Sequence, residues 1–102
     1  MGQFNLKRVV LDVVKPSEVS SLTSLAEEIG EVPGVKSLNI TVEEVDSKTE
    51  GLLVTVEGDQ IDFKKLSEVI ARTGAVVHSI DQVAGGEKII EGVPVPLSKV
   101  RR

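Results

Sequence analysis

The chain has 102 residues, 40% of them hydrophobic, with 12 Lys+Arg against 16 Asp+Glu for a formal net charge of -4. That length accommodates one domain whose core stands without metal or disulfide support, and the absence of cysteine excludes thiolate metal sites, iron–sulfur clusters and cysteine nucleophiles. The acidic balance, with Phe4 and Phe63 as the sole aromatics, leaves neither the basic patch nor the stacking platform that nucleic-acid binding requires.

The N-terminal MGQFNLKR has no signal-peptide core, and no apolar run approaches the roughly 18 residues needed to span a bilayer. A cytoplasmic protein without a membrane partner is therefore expected. Lys7–Pro16, KRVVLDVVKP, is rich in β-branched residues and closes on proline, as befits a strand at the middle of a sheet. Ser17 is the expected N-cap of a first helix. Val19, Leu22, Leu25, Ala26 and Ile29 give it one apolar stripe, and Gly30 ends it.

Val35–Asp46 alternates as a half-buried strand, with Leu38, Ile40 and Val42 on one side. The polar stretch Asp46–Gly51 reads as a hairpin loop, and Gly51–Glu57 as a third strand with Leu52, Val54 and Val56 inward. Asp62 caps a second helix carrying Phe63, Leu66, Val69 and Ile70, and Gly74 stops it. Ala75–Ala84 is the fourth strand. After Gly85-Gly86, Lys88–Val93 reads as a short extended arm. The domain is expected over residues 1–92, with 93–102 as a tail bearing the basic residues Lys99, Arg101 and Arg102.

The helix stripes echo each other, with Val19, Leu22, Leu25, Ala26 and Gly30 each 44 residues before Phe63, Leu66, Val69, Ile70 and Gly74. Strand–helix–strand occurs twice, joined by a hairpin. Right-handed crossovers turn that order into an α+β, ferredoxin-like βαββαβ sandwich, a four-stranded antiparallel sheet with two helices on one face. The first and third strands are then central, and the second and fourth are edges.

The face opposite the helices carries Arg8, Val10, Asp12 and Val14, together with Thr41, Glu43, Leu53 and Thr55. If Ile80 points inward, strict alternation adds Val77, Ser79, Asp81 and Val83 to that face. Asp12 and Asp81 then lie near each other on neighbouring strands. Two carboxylates so placed suit a hard divalent cation such as calcium, completed by groups from a second subunit; the bland alternative is an ion pair to Arg8 or plain solvation. His78, the single histidine, is a further binding candidate. A triad with Ser79 is not expected, because neighbours on a regular strand face opposite ways.

VVLDVVKP (Val9–Pro16), GVKSLNITVEEVD (Gly34–Asp46) and HSIDQVAGG (His78–Gly86) together resemble the archaeal domain of unknown function 211 family, from the first strand to about Glu91. The resemblance implies a ferredoxin-like fold, assembly into a ring-like homo-oligomer, no assigned activity, and calcium in some members. Asp12, His78 and Asp81 fall inside the matching motifs; past Glu91 the chain departs from the pattern. The expected role is a cytosolic homo-oligomeric binding or regulatory module that takes a divalent cation or small ligand at its open face or a subunit interface. The alternative is a small enzyme using Asp12 and Asp81 as acid and base groups, which the residues favour less because no nucleophile, base and oxyanion set converges.

Overall fold

Eleven residues rich in valine, Leu6–Pro16, form β1 in the computed structural model, which describes residues 3–94. The basic residues Lys99, Arg101 and Arg102 lie outside the described residues. The remaining elements are α1 (Leu22–Gly30), β2 (Val35–Val45), β3 (Thr49–Gly58), α2 (Phe63–Arg72) and β4 (Val76–Gly85). The sheet is antiparallel throughout in the order β2-β3-β1-β4, so β1 and β3 are central, as the hydrophobic pattern predicts. This is the ferredoxin-like α+β arrangement.

Alternate residues of β1 and β3 form the core floor. Val9, Leu11, Val13, Leu52, Val54 and Val56 are 0% exposed, packed with Leu25 and Ile29 of α1 and Leu66, Val69 and Ile70 of α2. α1 lies against β2 and α2, and α2 against β4, so both helices cover one face. Two turns interlock at one end of the sheet. Asp59 donates its N–H to the Gly34 carbonyl, and a Cβ on Gly34, at φ +90°, would run into the backbone of Gln60. Only glycine fits there.

Three predicted boundaries shift. α1 is capped by Ser21, whose hydroxyl accepts the Ser24 N–H at 3.2 Å, and not by Ser17. Val19 therefore lies outside the helix, in a turn closed by its own N–H to the Pro16 carbonyl. The hairpin between β2 and β3 is shorter than predicted because Asp46 folds it: its carboxylate accepts the N–H groups of Lys48 and Thr49, each at 2.8 Å, and the Thr49 hydroxyl at 3.1 Å. Those donors hold the Asp46 carboxyl below the usual carboxylate range, chiefly through the Lys48 N–H. The predicted arm at Lys88–Val93 has no strand partner; among the described residues, the chain after Gly86 is irregular.

Candidate functional site

The side of the sheet away from the helices is where chemistry-bearing residues collect, and β4 departs from regular alternation to put them there. Its register against β1 slips three times, twice through an extra residue on β4 itself. Asp12 faces Ser79 while Val13 faces Val77, so His78 is an extra residue; Leu11 faces Ile80 while Val10 faces Gln82, so Asp81 is another. Each is a β-bulge, which leaves a residue unpaired and re-aims its side chain.

The bulges correct the predicted face. Val77 and Val83 stand opposite Val13 and Val9, on the helix side, and Val77 packs on the core. Ile80, opposite Leu11, does stand on the helix side, though it is 51% exposed at this edge. His78, which strict alternation would set apart from Ser79, instead reaches the open side, where its Nδ1 stands 3.4 Å from Asp12 Oδ2. Ser79, opposite Asp12, donates its hydroxyl to Asp81 Oδ1 at 2.7 Å. The serine hydroxyl is thus engaged with Asp81, and the imidazole with Asp12.

A cleft of about 250 Å³ opens beside that pair, lined by Asp12, Val14, Glu43, Glu44, Gly51 and His78. Glu43 comes from a bulge of its own, since Val42 faces Leu52 and Glu44 faces Gly51 on β3. Among the described residues, no group of three or more histidine, cysteine or acidic side chains converges as a ready metal-ligand set. The cleft offers a carboxylate-rich wall with one imidazole, suited to a cationic or hydrogen-bond-donating group.

Arg8 anchors the other end of the face. Its Nε donates to Glu57 Oε2 at 2.7 Å, and Nη1 meets both Glu91 carboxylate oxygens at 2.9 Å and Gln82 Oε1 at 3.3 Å. These carboxylates raise the Arg8 pKa above its ordinary value, Glu57 first. Of the alternatives for Asp12, the ion pair to Arg8 does not form: Arg8 pairs with Glu57 and Glu91, and Asp12 stands against His78.

Sequence reasoning missed Lys15. It sits on the core side of β1 at 3% exposure, its amine donating to the Pro16 carbonyl at 3.2 Å and meeting Glu50 Oε1 at 3.4 Å. The signal was present: Lys15 continues the inward series Val9, Leu11, Val13.

Residues 7–99 match the profile of DUF211, described as an uncharacterized family. The chain belongs to the DUF211 family. It is also 42% identical over 91 residues to an uncharacterized protein of Methanocaldococcus jannaschii, across 89% of this chain and 93% of that one. The match corrects one boundary, because likeness to DUF211 runs past Glu91 into the tail. Asp12, His78, Asp81, Glu43 and Arg8 all lie within the DUF211 span. Among the described residues, no helix of this DUF211 chain is long and apolar enough to cross a membrane.

Proposed function

We propose that this DUF211 chain is a homo-oligomeric binding module rather than an enzyme. Its open sheet face would seat a second copy, and its acidic cleft a divalent cation or a small cationic ligand. The observation that carries this reading is the one-sided covering of the sheet. Val10, Val14 and Leu53 lie half-buried on a face that no helix among the described residues covers, beside the cleft of Asp12, Glu43, Glu44 and His78. Aliphatic surface of that kind is stabilised by association. The edges favour a second copy as well. β2 and β4 run in opposite directions at opposite ends of the sheet, so a neighbour's β4 placed beside β2 continues the antiparallel pattern.

A calcium ion in the cleft would draw on Asp12 and Glu43 and take its remaining oxygens from a second subunit or water. Regulatory small-molecule domains share this topology, which is analogy of fold alone. The enzyme reading takes support from the Asp12–His78 contact at 3.4 Å, since a carboxylate beside Nδ1 orients an imidazole for proton transfer.

Light scattering on the eluting peak of a sizing column tests the association, with a discrete oligomer expected; a clean monomer at micromolar concentration overturns it. Calcium is expected to raise the melting temperature of the wild type and not that of Asp12→Asn. A wild type indifferent to calcium removes the cation from the proposal and leaves the association standing.

A further inference from the structure

Gly86 ends β4 at φ +104°, with open space where a Cβ would stand, and the chain turns back from there. The return is tied down at two points, both of them cations of β1. The Lys7 amine donates to the Glu87 carbonyl, and the Arg8 guanidinium holds the Glu91 carboxylate. Lys7 is itself an extra residue, lying between the pairs Leu6 with Gly85 and Arg8 with Ala84, which lets two consecutive side chains reach the same segment. Ile90 and Val93 are 76% and 84% exposed, and of the large apolar side chains in residues 87–93 Ile89 alone is partly buried, so apolar packing holds the segment only lightly.

The partners of Arg8 are not equivalent. Glu57 is its register partner on β3 and Gln82 belongs to β4, so both are parts of the sheet. Glu91 comes from outside the sheet, with its side chain 70% exposed, and is the one that exchanges with solvent at least cost. A guanidinium recognises a carboxylate by the planar fit of its N–H fork, whichever molecule supplies the carboxylate.

We infer that Arg8 is a carboxylate-recognition point of the open face, with Glu91 as its built-in occupant and residues 87–94 as a strap that an incoming carboxylate releases. Release frees Lys7 together with Arg8, so the ligand class is a small dicarboxylate, one group for each cation. This goes beyond self-association and stands whether or not the face also seats a second copy.

Succinate is the probe, compared with sodium chloride at equal ionic strength so that plain screening is subtracted. The readouts are ¹⁵N relaxation of the Glu87–Gly92 amides and the Arg8 Nε–H resonance. In the wild type, succinate is expected to lower the order parameters of the strap from about 0.85 toward 0.6 and to shift the Arg8 resonance, where chloride does neither. Glu91→Gln is expected to loosen the strap without ligand and to bind succinate several-fold more tightly. Arg8→Lys keeps the charge, loses the fork and is expected to lose the succinate response. The inference is overturned if Glu91→Gln leaves the strap as ordered as the wild type, or binds succinate no better. It also falls if succinate acts no more strongly than matched chloride, or if Arg8→Lys responds like the wild type.

Discussion

Two faces of one strand meet different fates in this chain. Val9, Leu11 and Val13 of β1 lie under the helices without exposure, whereas Val10, Asp12 and Val14, their immediate neighbours, stand on a face that no helix or strand among the described residues covers. The composition of the strand barely distinguishes them, since five of the six are aliphatic. What separates them is the connection rule: right-handed crossovers carry both helices to the same side. A valine here is core or surface by parity of position, and the apolar residues of the second face are available to bind.

The sharpest way to test that contrast is to truncate one residue on each side. Leu11→Ala is expected to cost about 2–5 kcal/mol in urea denaturation, as for other fully buried leucines. Val10→Ala in the isolated chain should cost no more than about 1 kcal/mol. If Val10→Ala costs as much as Leu11→Ala, the open face is covered in solution, and the cost should then fall on dilution.

A smaller effect probes the buried charge on the covered side, Lys15. Glu50→Gln removes the anionic partner of a buried amine and is expected to destabilise by about 1–3 kcal/mol. Lys15→Met, which removes the charge and keeps the side-chain volume, is expected to be near neutral. A Lys15→Met variant as unstable as Glu50→Gln would mean that the amine does more than avoid burial cost.

The smallest effect belongs to the exposed hairpin, far from either packed face. The Asp46 carboxyl is held below its ordinary value by hydrogen bonds in the folded chain. Its contribution is therefore complete above the unfolded carboxylate value of about 4 and is lost as pH falls through the depressed folded one. Melting curves of wild type and Asp46→Ala should differ at neutral pH and converge in acid. A difference that persists at low pH would assign the effect to loop geometry rather than ionisation.

The fold was legible because it rests on patterns that tolerate error. Two apolar stripes at helical spacing, a central β-branched strand and a polar hairpin fix the βαββαβ order even when a cap moves from Ser17 to Ser21. The candidate site was legible only in part. Asp12 could be placed because β1 alternates without interruption from Arg8 to Pro16 against β3. Glu43 and Asp81 were placed on the open face although each is an inserted residue, but His78 was set apart from Ser79, because a bulge resets the parity of what lies beyond it. Reading VVHSIDQVA as unbroken alternation places Val77 and Val83 on the wrong face. With His78 and Asp81 set aside, the remainder, Val76, Val77, Ser79, Ile80, Gln82 and Val83, alternates open, covered, open, covered, open, covered.

That remainder makes β4 divisible. It is three blocks of register joined by two single-residue links, and each link carries a side chain that ends on the open face. Removing His78 from the chain would bring Val77 and Ser79 together with their partners on β1 unchanged, and removing Asp81 would do the same for Ile80 and Gln82. The two side chains are thus separable from the strand that carries them. A deletion at either link takes away the imidazole or the carboxylate and, unlike a deletion elsewhere in β4, turns no other residue over.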